Sequence, residues 1–215
     1  MLVAIHVHTN HSACSESSVD GIAAYCRSHK IEAIGITDHN SVDGALELQE
    51  AAPDIKVIIG EEVSTRQGEV VGLFLKETIP ASLDLRETCE RIKEQGGLVY
   101  VPHPFDKFKV HRVRSNYLTS ILDLVDIIEV FNGKISLNIY NARALAYAQR
   151  TGKTGAVGSD SHYIKSIGSA LNVMEPFDSP QDFLEKLSHA QFNITPASLL
   201  FTWWVRARKL FHGRS

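Results

Sequence analysis

The chain has 215 residues, 44% of them hydrophobic and 22% charged, with a formal charge of −3. It is long enough for one large α/β domain or two small ones, and its charge balance discourages non-specific nucleic-acid binding. No run of about 18 apolar residues appears and the N-terminus lacks the basic and apolar regions of a signal peptide, which excludes a membrane span and, with three scattered cysteines (Cys14, Cys26, Cys89) that argue against a disulfide framework, predicts a cytoplasmic protein.

Taken in order, short apolar β-type runs alternate with helical patterns. Residues 2–5 read as a strand that ends in His6-Val-His8; Ile22, Tyr25, Cys26 and His29 recur at helical spacing; residues 33–37 form a second strand; and residues 45–52 form a helix stopped by Pro53. Strands follow at 56–60 and 70–75, then a helix from about Leu83 to Gln95 closed by Gly96-Gly97, strands at 98–101 and 126–131, a helix over 138–150 ended by Gly152, and a strand at 155–158. Seven strands in βαβ alternation predict a barrel around a largely parallel sheet. No repeat or linker interrupts residues 1–175, which therefore read as one domain. Residues 176–215 read as a C-terminal helical extension packed on the barrel: a surface helix opened by Ser179-Pro180, then an apolar-to-basic terminal helix that lays Trp203 or Trp204 on the body. After Glu185 there is no acidic residue, so the tail is basic and the body acidic, a balance that suits a carboxylate site holding cations.

Five of the ten histidines directly follow predicted strands: His6, His8, His39, His103 and His162. Asp38, Glu62, Glu129 and Asp160 share that placement. In a parallel barrel the C-terminal strand ends meet on one rim, so these groups converge although they are far apart in sequence. Imidazoles and carboxylates gathered on one rim need cations to offset their mutual repulsion, and ligands of this type without clustered thiolates favour Zn, Mn or Fe. Taken singly, each residue has a plainer use: Asp38 caps a helix, His103 before Pro104 turns the chain. By contrast, Gly152-Lys153-Thr154 is a turn and not a phosphate-cradling loop, because the upstream glycine is missing.

The ordered blocks HVHT (6–9), ITDHN (36–40), GEEVS (60–64), PHPF (102–105), IEVFN (128–132) and GSDSH (158–162) resemble the signature blocks of the PHP (polymerase and histidinol phosphatase) metal-dependent phosphoesterases. The resemblance spans about residues 1–175. It implies a distorted seven-stranded, TIM-like (β/α) barrel and two or three divalent ions. Carried over by motif, His6, His8, Glu62 and Asp160 surround one ion, Glu62 bridges to a second that His103 also holds, and a third takes His39 and His162. The family's further ligand from the loop after HxH is commonly Asp or His; its nearest match here is Cys14, with His11, Ser12 and Glu16 close by. Glu129 is a further candidate ligand.

On this resemblance the protein hydrolyses a phosphate ester by attack of a metal-bound hydroxide, the ions lowering the pKa of a shared water toward about 7. Asp38, Glu62 and Asp160 are the candidate catalytic carboxylates, with Asp38 either a proton shuttle or an orienting group for an imidazole. His111, Arg112 and Arg114, in a basic loop with Lys107 and Lys109, are candidate substrate contacts. The substrate is a small-molecule or nucleotide phosphate ester. Two alternatives stand beside this: an amidohydrolase-like hydrolase of C–N bonds, whose barrels also open with HxH, and a non-catalytic PHP-type binding module.

Overall fold

The computed structural model describes residues 1–135 and 137–195. Nine strands form one sheet: β1 (Leu2–Val7), β2 (Ala33–His39), β3 (Lys56–Thr65), β4 (Gly68–Leu73), β5 (Leu98–Val101), β6 (Ile127–Asn132), β7 (Thr154–Gly158), β8 (Ala170–Val173) and β9 (Gln191–Ile194), in the order β7-β6-β5-β4-β3-β2-β1-β8-β9. All seven predicted strands are present; β8 and β9 are additional. Among the described residues six α-helices accompany them: α1 (Val19–His29), α2 (Asp43–Ala51), α3 (Leu85–Glu94), α4 (Ser115–Ser120), α5 (Asn138–Thr151) and α6 (Pro180–Leu187). Their ends follow local chemistry. The Ser18, Asp84 and Ser179 side chains accept N-terminal amides of α1, α3 and α6, while Lys30 and Gly152 close α1 and α5 in the left-handed region.

The sheet is less parallel than the alternation predicts. Four neighbouring pairs are parallel (β1–β2, β2–β3, β5–β6, β6–β7) and four are antiparallel (β3–β4, β4–β5, β1–β8, β8–β9). For β3–β4 and β4–β5 the cause is the tight turn from Thr65 to Gly68, which reverses the chain directly into β4 where a helical crossover would have kept it parallel. Gly68 has φ +129°, and a Cβ there would press on the Arg112 and Val113 backbone.

The barrel closes between its first and last inner strands. Val7 bridges Ser161 in parallel, and the buried Asn172 of β8 joins β7 to β1: its Oδ1 accepts from Val157 N (3.0 Å) while its Nδ2 donates to Val157 O (2.9 Å) and Val3 O (3.4 Å). A side-chain amide thereby supplies ladder bonds that a neighbouring strand would otherwise make. Inside, Val3, Ile5, Ala33, Ile58, Leu98, Ile127 and Ala156 pack against Phe177, Phe183 and Leu187. Helix α6 is the expected surface helix, and it closes the barrel's lower end by burying Phe183 and Leu187 while its other residues stay partly or fully exposed. Filling that end with apolar rings leaves the upper end for polar groups. Among the described residues no helix is long and apolar enough to cross a membrane. The proposed terminal helix with Trp203 or Trp204 lies outside the described residues.

Candidate metal centre

His6, His8, His39, Glu62, His103, Asp160 and His162 meet at the upper end of the barrel. The Glu62 carboxylate is the hub. Its Oε2 lies 3.4 Å from His8 Nε2, 3.4 Å from His39 Nδ1 and 3.6 Å from His6 Nε2, and its Oε1 lies 3.2 Å from His103 Nε2. Asp160 Oδ1 faces His6 Nε2 at 3.9 Å and His8 Nε2 at 3.7 Å. Three overlapping ligand groups result: His6 with His8 and Asp160, His6 with Glu62 and His103, and His8 with His39 and His162. Cys14 enters none of them among the described residues, and neither does Glu129.

Local backbone strain aims these groups. His6, His103 and Asp160 all adopt positive φ (62°, 33° and 48°), which costs non-glycine residues of order 1–3 kcal/mol each. In β1 the register shifts between Ala4 and Val7, so His6 and His8 converge through a bulge and not through the simple two-residue alternation of a flat strand. A Cβ at Gly158 would run into Glu129 Oε1 and Tyr100 Oη; only glycine lets β7 come this close beneath the cluster.

Glu129 departs from the expected ligand role because its oxygens are already occupied. Oε1 accepts from Tyr100 Oη (2.5 Å) and contacts His6 Nδ1 (2.8 Å), and Oε2 accepts from His103 N (2.6 Å) and Asn132 Nδ2 (2.8 Å). The contact places a proton on His6 Nδ1, toward Glu129, and turns Nε2 toward the hub. Asp38 likewise faces away from the cluster: Oδ1 accepts from Thr9 N (2.8 Å) and Ser12 Oγ (2.5 Å), and Oδ2 from Thr9 Oγ1 (2.7 Å). Ser12 Oγ accepts in turn from His39 N (3.1 Å), so Asp38 ties the loop after His8 to the end of β2. His11 turns outward and contacts Glu47 at 2.5 Å.

The predicted substrate residues lie on the segment that runs past β4. His111 and Arg114 are exposed, Arg112 is half-buried, and Glu69 N donates to His111 O at 2.6 Å. The contact with the cluster falls to Lys109, whose Nζ reaches Asp160 Oδ2 at 2.5 Å. Lys134, which sequence reasoning missed, places Nζ 3.2 Å from Asp160 Oδ1 and 2.8 Å from His162 Nδ1. The available signal was its place, two residues beyond the end of β6, as the other cluster residues follow their strands.

The electrostatics are those of a site built around charge. Burial opposes ionisation of Glu62, yet His6, His103 and His8 hold its carboxyl well below the usual range. Burial likewise opposes the Asp160 charge, and Lys109 and Lys134 outweigh it. His6 is raised well above the ordinary histidine value because Glu129, Asp160 and Glu62 overcome its desolvation. Burial brings His8 down to about 4, and burial with the Lys134 charge lowers His162.

These residues fit divalent ions. His6 Nε2, both nitrogens of His8 and His103 Nδ1 are buried without a hydrogen-bond partner. Such orphans are costly unless something outside the chain satisfies them. The separations of 3.4–3.9 Å between the His6 and His8 Nε2 atoms and the carboxylate oxygens are too long for hydrogen bonds. They are close to the roughly 3.3–3.6 Å edge of a tetrahedron whose ligands stand about 2.0–2.2 Å from a central ion.

With fold and site in view, comparison with known proteins places the chain. The family model described as the PHP domain matches residues 4–159, and the model described as PHP-associated matches residues 138–192. The chain belongs to the PHP domain family. The uncharacterized protein MJ0417 of Methanocaldococcus jannaschii is 38% identical over 200 residues, covering 87% of this chain and 79% of that protein. A two-domain protein from Bacteroides vulgatus, described as containing a predicted PHP-like metal-dependent phosphoesterase, shares the fold with a TM-score of 0.72 at 19% identity. That match covers 90% of this chain, which spans 64% of the two-domain protein. An amidohydrolase from Chromobacterium violaceum, solved with bound sulfate, has a TM-score of 0.61 at 16% identity over 96% of both chains.

Proposed function

We propose that the protein is a metal-dependent hydrolase of phosphate esters. The observation that carries this reading is the single Glu62 carboxylate within 3.2–3.6 Å of four imidazole nitrogens, two of them (His6 Nε2 and His8 Nε2) buried without a hydrogen-bond partner. In this reading His6, His8, Glu62 and Asp160 hold one divalent ion, Glu62 and His103 a second, and His39 and His162 a third together with His8. The ions, when bound, bring a water to a pKa near neutrality and neutralise charge on the phosphoryl oxygens. The chain's own contribution is orientation. Glu129 keeps the His6 lone pair on the hub, Asp38 acts as a positioning residue through Thr9 and Ser12, and the buried floor made by Tyr100 and Gly158 excludes water from below. The basic segment 107–114 offers positive charge at the mouth to an anionic substrate, while its Lys109 neutralises Asp160.

The PHP membership and the description of the Bacteroides vulgatus protein support the phosphoester substrate. A second reading, hydrolysis of a C–N bond, draws on the likeness to the Chromobacterium violaceum amidohydrolase. The test is metal analysis of the purified protein with parallel assays of an aryl phosphate and an aryl amide. Bound divalent ions and released phosphate are expected. Metal with amide cleavage alone overturns the phosphoesterase reading, and absence of metal after reconstitution overturns both.

A further inference from the structure

Two ammonium groups approach Asp160, and they do so differently. Lys109 arrives from the segment after β5 and binds Oδ2; Lys134 arrives from the turn after β6 and binds Oδ1. Oδ1 is the oxygen that faces the unpartnered Nε2 atoms of His6 and His8. The Lys134 ammonium also lies 2.8 Å and 3.1 Å from the two ring nitrogens of His162. It therefore touches members of two of the three ligand groups, while Lys109 stands on the far side of the same carboxylate.

Asp160 is 1% exposed, and a buried carboxylate without a counter-charge is strongly destabilising. The lysine side chains are 29% and 27% exposed, so each ammonium sits at the end of a flexible stem that can swing outward without disturbing the apolar core. A divalent ion and the Lys134 ammonium cannot share Asp160 Oδ1 and the His162 ring, because two cations so placed repel in a site of low dielectric.

We propose that Lys134 is an internal counter-ion: it holds the Asp160–His162 side of the cluster in the ion-free molecule, is displaced when a divalent ion enters, and then binds the anionic phosphoryl group at the mouth. Lys109 keeps its place on Oδ2 throughout. The displacement rests on the metal-dependent reading above, whereas the counter-charge role in the ion-free molecule does not.

The test compares wild type with Lys134→Met, Lys109→Met and Lys134→Arg in three measurements. In thermal melts of ion-stripped protein, Lys134→Met should melt lower by about 4 °C or more, and the charge-keeping Lys134→Arg should recover most of the loss. In calorimetric titration with Mn²⁺, Lys134→Met should bind about three- to tenfold tighter, since no ammonium has to leave, and Lys109→Met should show no gain. In titration of Mn²⁺-loaded protein with inorganic phosphate, Lys134→Met should bind about tenfold more weakly. An unchanged melt overturns the counter-charge role. Unchanged or weaker Mn²⁺ binding overturns displacement, and unchanged phosphate binding overturns the second role. Wild type that takes up no Mn²⁺, while Lys134→Met still melts lower, overturns the metal reading and the displacement and leaves Lys134 as a static partner of Asp160.

Discussion

The inner and outer sides of the barrel at the ends of β2 and β3 carry the same kinds of residue and use them in opposite ways. His39 pairs in register with Glu62 and faces the cluster, whereas Asp38 pairs with Glu61 and faces the helices. All three carboxylates are essentially buried. Glu62 meets imidazoles and is held ionised; Asp38 meets hydroxyls and an amide and serves as a fastener. Glu61, with one bond from Ile79 N (2.8 Å) and a second oxygen lacking any partner, is pushed by burial up to about 7. Burial alone therefore says nothing about function. The donors that surround each carboxylate decide whether it is a ligand, a tie or a stored proton.

This contrast can be broken most sharply at the hub. Glu62→Gln should lower turnover at least about a thousandfold and lower the divalent-ion content, with the far-ultraviolet circular dichroism unchanged, because the amide keeps the shape and loses the charge. Full turnover or full metal content in the purified variant would contradict the hub assignment. Next in size is Glu129→Gln, which removes the anion that fixes His6. Divalent-ion affinity should fall about 10- to 100-fold by calorimetry, with smaller losses in turnover once the metal is saturating.

On the outer side the effects should be on stability. Asp38→Ala leaves Thr9 N, Thr9 Oγ1 and Ser12 Oγ without their acceptor, and chemical denaturation should register a loss of about 2–4 kcal/mol. If turnover collapses while the denaturation midpoint stays put, Asp38 acts on the proton and not on the loop. The smallest change concerns Glu61. Its folded value, about 7, lies above the ordinary 4.5, so its stabilising contribution is complete below pH 4.5 and is lost as pH rises through 7. The stability of Glu61→Gln relative to wild type should therefore rise by roughly 2–3 kcal/mol between pH 4 and 8, and a flat difference would show that Glu61 keeps its ordinary value in the folded protein.

Much of this was visible in the linear chain. Apolar runs of four to six residues separated by helical periods located the seven inner strands, and the His and carboxylate residues that follow them marked the rim. Helix ends were readable where a cap or breaker stood in the sequence, as at Ser179-Pro180 and Gly152. Less visible were features in which an interaction at a distance overrides a local signal. The 191–194 segment pairs with β8 as an edge strand, although its four residues are all exposed and lack the alternation that announces a strand. Cys14 sits at the right distance along the chain from His8 for a ligand, yet the loop that carries it is held by Ser12 on Asp38 and by Ser15 on the His8 and His162 carbonyl oxygens. Arg112 and Arg114 have the right chemistry for a phosphate, but Lys109 and Lys134 have the reach.

The sequence by itself determined which residue types stand at the strand ends and which face of each strand is apolar, because both are local properties of spacing and side-chain chemistry. The tertiary structure decided the rest. It twisted His6 and Asp160 into the left-handed region, and it brought Glu129 to the His6 ring across 123 positions, outside the three ligand groups. It also placed an ammonium against Asp160 from a turn that no motif marks. The physical reason is that a carboxylate's role depends on the donors packed around it, and these come from segments whose meeting is set by closure of the whole barrel.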